Sequence, residues 1–387
     1  MTTKQRVTVI TVLALGAILW AGCARAPAPG EPLRGLTAGE RARFDAGREV
    51  FDREFEPGTG LGPLFNSVSC AECHEEPATG GFGDELEVHA TALLDDGRCD
   101  ALLDAGGPVY QLNVTPALHD ALGIDAEPIP DRATGQGRRS TPSILGFGLL
   151  DAVPDKAILA LADADDRDGD GISGRPNRFA DGRLGRFGRK AFVPTLREFN
   201  DGAFPLEQGV TTPAQPAEET VAGRPLPDGV DSTPDPEIGA DDLSAADAFV
   251  RFLAPPAARH GWLLGITGGR IFRSIGCAAC HTPKLHTGDG PVAVLRHRTV
   301  GAYTDLLLHD MGPELADICL GLATPSEFRT EPLMGLGLRG RFLHDGRAAS
   351  VEEAIRLHAG EATRSRQRFE ALGAAERRTL LEFLGRL

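Results

Sequence analysis

The sequence predicts a mostly α chain with long loops, organised as two related halves, and three observations carry that expectation. Apolar residues recur at helical spacing in four separate stretches, with no strand-rich region between them. A Cys-x-x-Cys-His unit occurs twice, as Cys70-Ala-Glu-Cys73-His74 and Cys277-Ala-Ala-Cys280-His281. Each is followed by a related run, Thr141-Pro-Ser-Ile-Leu-Gly-Phe-Gly-Leu149 in the first half and Glu331-Pro-Leu-Met-Gly-Leu-Gly-Leu338 in the second. The length of 387 residues exceeds one typical domain, and 41% hydrophobic with 25% charged residues is globular composition.

In chain order, Lys4 and Arg6 precede a largely apolar run from Val7 to Trp20, followed by Ala21-Gly22-Cys23. That is the layout of an export signal over residues 1–22, because the run is short for a membrane-spanning helix. Leu19-Trp-Ala-Gly-Cys23 resembles a bacterial lipobox, which makes Cys23 a candidate lipidation site and residues 23–36 a flexible tether. The chain is therefore expected at the periplasmic face of a bacterial membrane, held by a lipid anchor only. A first domain is expected over residues 37–210, opening with a helix from Thr37 to Phe51. Residues 211–242 are proline-rich and poor in large apolar side chains, and read as an inter-domain excursion. A second domain is expected over 243–387. In it Leu243, Ala246, Phe249, Val250 and Leu253 share a helical face that Pro255-Pro256 ends, and a last periodic stretch runs from Phe369 to Leu387.

The paired motifs carry the chemistry. A helical turn presents both cysteine sulfurs to the vinyl groups of a porphyrin while the adjacent histidine reaches the iron, so two units predict two covalently attached c-type haems. The cofactor-binding residues are then Cys70, Cys73, His74, Cys277, Cys280 and His281. Structural zinc is the competing use of such pairs, but it gives no reason for a histidine to follow the second cysteine twice. A thioredoxin-like redox pair needs a βαβ setting that is not visible.

For the second iron, Ser350 can cap a helix with Glu353 closing the capping box, which puts His358 on the same face as Val351, Ala354 and Ile355. His309, Met311, Met334 and His344 are rivals. For the first iron the candidates are His89, Tyr110 and His119, and the choice stays open. Asp166, Asp168 and Asp170 stand at alternate positions before Gly171, the spacing of the first half of an EF-hand calcium loop, with Asn177 at the closing position. Cys99 and Cys319 either pair across the halves or remain buried thiols.

The formal charge is −15, from 40 Lys and Arg against 55 Asp and Glu, and loss of residues 1–22 with Lys4 and Arg6 brings it to −17. So acidic a surface excludes nucleic acid as a partner and suits docking of a basic electron donor such as a small cytochrome.

The runs Gly62-Pro-Leu-Phe-Asn-Ser-Val-Ser-Cys70, Arg138-Arg-Ser-Thr-Pro-Ser-Ile-Leu-Gly146, Asp168-Gly-Asp-Gly-Ile-Ser-Gly174 and Tyr303-Thr-Asp-Leu-Leu-Leu-His-Asp-Met-Gly-Pro313 resemble the bacterial di-haem oxidoreductase family. That family is similar to the di-haem cytochrome c peroxidases. The resemblance implies two cytochrome c-type domains, each mostly helical with one covalently bound haem, and a calcium site near their junction. It implies reduction of hydrogen peroxide, or turnover of another small substrate, with electrons from a small redox protein. It places His358 where the peroxidases carry the distal methionine of the second haem, and Glu207 near their acid–base glutamate. Glu198 or Phe199 falls at the place of a glutamine, and Arg189 at the place of a tryptophan that lies between the haems. The rival readings are a non-catalytic di-haem electron carrier and a zinc-stabilised binding module.

Overall fold

The computed structural model describes residues 26–387, so the expected export signal and the candidate lipidation site Cys23 lie outside the described residues. Two lobes repeat one construction. In the first, the Ala38–Phe51 helix crosses the Ala240–Phe252 helix; in the second, the Trp262–Ser274 helix crosses the Ala374–Leu384 helix. In each lobe the earlier helix leads toward the Cys-x-x-Cys-His turn and the later one closes the lobe. A glycine permits each close crossing. A Cβ on Gly47 would lie 1.9 Å from the carbonyl oxygen of Ala245, and one on Gly268 would lie 2.3 Å from Cβ of Phe383.

Local sequence starts the first of these helices where expected, whereas the Trp262–Ser274 helix was not foreseen and the periodic stretch from Phe369 is divided between the helices Thr363–Glu370 and Ala374–Leu384. Thr37 caps the first, accepting from the Glu40 amide while Glu40 reaches back to the Thr37 amide, a reciprocal pair that satisfies two otherwise orphaned donors. Phe44, Val50 and Phe51 then turn inward, and Phe44 and Phe51 each lie 5.0 Å from the Phe249 ring. This packing corrects the expected boundary at residue 243. The Ala240–Phe252 helix completes the first lobe, and the proline-rich stretch before it is an excursion within that lobe. The stretch makes no core of its own. It lends Val230 and Ile238 to clusters built by Leu64, Leu118, Phe55 and Leu61.

The expectation of a mostly α chain is met only in part. Between the first cysteine pair and Thr141 the strand Leu86–Leu93 pairs antiparallel with Cys99–Asp100, Val109–Tyr110 and Gly135–Ser140. In the sequence Leu86, Val88, Ala90 and Ala92 alternate with Glu87, His89 and Thr91, a period of two that marks a strand and that the expectation of no strand-rich region passed over, although burial does not follow the alternation. Short ladders also join Leu308–Asp310 to Glu327–Arg329 and Leu285–His286 to Thr299–Val300.

Cys99 and Cys319 form a disulfide between residues 220 apart, which ties this sheet to the second half. Beside it a buried charge cluster makes the same connection. Asp317 accepts from Arg139 at 2.8 Å and from Lys190 at 2.9 Å. Leu285, Val294, Leu306 and Leu307 from the second half enter the same apolar core as Phe44, Phe147 and Phe249. Among the described residues no helix is long and apolar enough to cross a membrane.

Candidate functional site

In the second lobe a cavity of about 200 Å³ is lined by Cys277, Cys280, His281 and His358. The turn that carries the sulfurs is closed by the His281 amide donating to the Cys277 carbonyl at 2.9 Å. His358 ends the Val351–Leu357 helix, which Ser350 caps by accepting from the Glu353 amide. The Glu353 carboxylate bonds the Ala349 amide rather than that of Ser350, so the expected capping box is displaced by one residue.

Both histidines are held in the same manner. Nδ1 of His281 lies 3.0 Å from the Tyr303 carbonyl oxygen and Nδ1 of His358 lies 2.7 Å from that of Ala354. A proton on Nδ1 satisfies each carbonyl and leaves Nε2 with a free lone pair, the arrangement that fixes ring orientation in a metal-ligating histidine. Burial keeps both imidazoles neutral: it lowers the His281 pKa to about 4 and depresses that of His358.

The rivals are otherwise engaged. His309 meets Asp305 through Nε2 at 2.8 Å and Glu361 through Nδ1 at 2.9 Å. Burial opposes its protonation, but hydrogen bonds to Asp305, Cys280 and Glu361 lift its pKa well above the usual range. His344 stacks on Phe328 at 4.3 Å, and Met334 packs in the core shared by the two lobes. Met311 reaches the cavity wall without the backbone anchor that orients His358.

The wall facing the first lobe is cationic. Arg189, Arg329 and Arg339 converge on one carboxylate, that of Glu331, at 2.9, 2.8 and 2.7 Å. Burial would raise the Glu331 pKa, but Arg189, Arg339 and Arg329 hold it far below the carboxylate range. Arg189 also donates to the Ser140 carbonyl. An ion-pair cluster thus stands where the family resemblance implies an aromatic bridge.

In the first lobe Ser69 caps the Cys70–Cys73 turn, accepting from the Glu72 amide at 3.1 Å, and Nδ1 of His74 lies 3.1 Å from the Gly81 carbonyl oxygen. Burial lowers the His74 pKa, and it pushes the Cys70 and Cys73 thiols up to about 12. The Glu207 carbonyl oxygen accepts from the Asn66 and Ser67 amides at 2.7 and 3.1 Å, which holds this residue on the segment leading to the first cysteine pair, and its charge adds to both thiol shifts. Glu207 accepts from Asn66 Nδ2 at 3.3 Å, and burial next to Glu87 raises its pKa well above the ordinary value.

The sequence did not reveal Gln208. It is buried one residue beyond Glu207 in a π-helical turn, Phe204–Gln208, with Nε2 3.8 Å from the Cys70 sulfur. Glu198 is bound instead to Arg183 near the surface, and the Phe199 ring lies 6.2 Å from that of Phe187. His119 is half exposed beside Asp125, Tyr110 is buried against Glu127, and His89 pairs with Glu87 at 2.9 Å. Of the three, only His89 belongs to the charge network that reaches His74, through Glu87. Arg139 and Arg329 were visible in the repeat, since each stands three residues before the proline of the echoed run.

Carboxylate oxygens of Asp166, Asp168 and Asp170 lie within 4.8 Å of one another. Asn177 does not close this loop. It is buried, its Nδ2 donates to the carbonyls of Lys190 and Leu320, and its Oδ1 accepts from the amides of Arg178 and Leu322. The loop is fastened instead to the segment after His358, through Ser173 to Glu361 and Arg364 to the Asp170 carbonyl. Among the described residues, neither cysteine pair belongs to a group of three or more metal-capable side chains with ligand atoms within 4.8 Å of one another, so these residues do not assemble the donor set of a tetrahedral zinc site at either turn.

A family model described as di-haem oxidoreductase, putative peroxidase, matches residues 131–387. A comparison with curated proteins finds no match. Among solved structures, hydrazine synthase from Kuenenia stuttgartiensis is 14% identical with a TM-score of 0.38, covering 95% of this chain and 96% of that one. A MauG-like protein associated with microbial copper homeostasis is 17% identical with a TM-score of 0.41, covering 94% and 93%.

Proposed function

The chain belongs to the di-haem oxidoreductase family, and from that premise we propose that it is an exported di-haem c-type cytochrome that reduces peroxide with electrons from a small redox protein. The observation that carries the proposal is the facing pair in the second lobe, His281 and His358, each anchored through Nδ1 in a cavity that also holds two unpaired cysteines. These residues fit a haem: the cysteines would bind it through thioethers and the two imidazoles would hold its iron. Cys70, Cys73 and His74 would hold the other in the same way. When bound, the haems supply one-electron redox chemistry.

The protein's own groups supply the protons. Reduction of hydrogen peroxide to two waters takes two electrons and two protons. Glu207, whose raised pKa favours the protonated carboxyl, is placed to hand one over beside the first cysteine pair. Asn66 orients that carboxyl, and Gln208 stands against the Cys70 sulfur. In the second lobe, two histidines as protein ligands would favour a low reduction potential and electron relay over reaction with substrate. The proposal extends to a lipid anchor at Cys23 on the periplasmic face, a basic donor cytochrome drawn by the charge of −17, and Ca²⁺ at Asp166, Asp168 and Asp170 as a brace behind His358.

Optical and electron paramagnetic resonance spectra of the oxidised and half-reduced protein test the reading. One low-spin and one high-spin haem, with peroxide turnover, are expected. Two low-spin haems without peroxide reaction would make the protein an electron carrier instead.

A further inference from the structure

The Trp262–Ser274 helix buries Gly268, Gly269 and Phe272 against the second lobe and leaves its opening turns uncovered. Trp262 is 81% exposed and Leu263 66%, the two largest apolar side chains the helix offers to solvent, and Ile266 continues the same surface. Trp262, Ile266, Arg270 and Arg273 fall on one helical face, and Arg259 stands just before the helix; all three arginines are exposed.

The charge along this segment of chain runs against the rest of the sequence, although Arg251 within it is paired with Asp151 and Asp247 and the packed Ala374–Leu384 helix carries Glu376 and Glu382. Between Asp247 and Asp289 there is no Asp or Glu, in a chain with 55 of them, while Arg251, Arg259, Arg270, Arg273 and Lys284 all fall there. The first described residues pack against the segment of chain that precedes the patch. Leu33 donates its amide to Phe252 and Ala254 donates to Glu31, so the first described residues run beside the stretch that leads to Trp262. Upstream of them the sequence carries the apolar run 7–20 and Cys23.

We propose that this face docks on an anionic phospholipid bilayer. Trp262, Leu263 and Ile266 enter the interfacial layer, and Arg259, Arg270 and Arg273 meet the lipid phosphates. An exposed tryptophan flanked by leucine and arginine is the composition of an interfacial helix face. A face with both apolar and basic groups beside the anchor segment gives the second point of attachment that a single chain anchor needs for stable binding. The inference rests on the exported, lipid-anchored reading for the presence of a bilayer and of a first point of attachment. It is independent of haem chemistry.

Trp262 is the only tryptophan beyond residue 20, so its emission reports on the patch alone. The holoprotein, exported through a cleavable leader that leaves Ala24 first and no lipid, is mixed with vesicles of phosphatidylethanolamine and phosphatidylglycerol. Expected are co-flotation with the vesicles, a blue shift of the Trp262 emission, and its quenching by dibrominated lipid. Trp262→Ser with Leu263→Ser should lower the bound fraction at least about tenfold. Arg259→Glu or Arg270→Glu should each lower it about fivefold on phosphatidylglycerol vesicles. Haem absorption should be unchanged in all variants, which separates loss of docking from loss of fold or cofactor. Unchanged emission without flotation overturns the proposal, as does flotation that survives the double substitution. Self-association with no vesicle binding overturns it too, and would assign the face to a second copy of the chain.

Discussion

Replacing Asp317 by Asn tests whether the buried charge cluster joins the halves. The carboxylate takes Lys190 at 2.9 Å and Arg139 at 2.8 Å, and the three side chains are 2%, 0% and 6% exposed respectively. Lys190 also donates to the carbonyls of Thr324, Pro325 and Glu327 and sits 3.7 Å from the Phe328 ring centroid, so it has no route to water. At an effective dielectric near 20 each pair is worth about 4 kcal/mol. The neutral amide recovers several kcal/mol that burial of the carboxylate costs, so the net loss should be about 3–5 kcal/mol.

The loss should depend on pH. Burial lowers the Lys190 pKa to about 8 even with Asp317 opposing it, so without that carboxylate the pKa falls further. A base whose folded pKa is depressed binds fewer protons folded than unfolded, and stability then rises with pH above that pKa. The variant begins this rise below pH 8 and the parent near 8. The deficit should therefore shrink between pH 6 and 8, by at most about 1.4 kcal/mol per unit. Urea unfolding of the holoprotein, followed by circular dichroism and by haem absorption, measures it. A loss below about 1 kcal/mol at pH 6 would refute the reasoning. So would a failure of Lys190→Met to recover stability in the Asp317→Asn background, since it removes the stranded charge.

Replacing His358 by Ala should convert one low-spin haem signal to high-spin, read by electron paramagnetic resonance; unchanged spectra would mean that another residue fills that position. Burial raises the Glu127 pKa to about 8, so the protonated form contributes stability that is full below about pH 4 and is lost as pH rises through 8. Glu127→Gln should flatten the stability profile between pH 5 and 8, and thermal melts across that range would show an undiminished slope if the carboxyl is uninvolved. Cys99→Ala, which opens a loop spanning 220 residues, should cost about 2–5 kcal/mol in urea unfolding, and parity with the parent would contradict a stabilising link. Gly47→Ala, whose Cβ would lie 1.9 Å from the Ala245 carbonyl oxygen, should cost at least about 1–3 kcal/mol, whereas a gain in melting temperature would show that the crossing relaxes freely.

Much of this protein is written in local sequence. The Cys-x-x-Cys-His turns, the Thr37 and Ser350 caps and the inward faces of Phe44, Phe249 and Ala354 are set by spacing along one chain segment, and spacing is what a sequence displays. The family follows from the same short-range patterns. What escaped notice depends on segments far apart in the chain. The Leu86–Leu93 strand alternates apolar and polar residues in the sequence, but its partners are supplied by three separate stretches that no local pattern names. The Ala240–Phe252 helix shows its apolar face in the sequence, but only the Gly47 crossing decides which lobe that face completes. Gln208 meets Cys70 across 138 residues, and Cys99 meets Cys319 across 220. Arg189 illustrates the difference best. The sequence by itself determined that a guanidinium stands in place of an aromatic ring. Only the tertiary structure decided its partners, because a buried charge must find a counter-charge wherever folding brings one, and here it is Glu331, shared with Arg329 and Arg339.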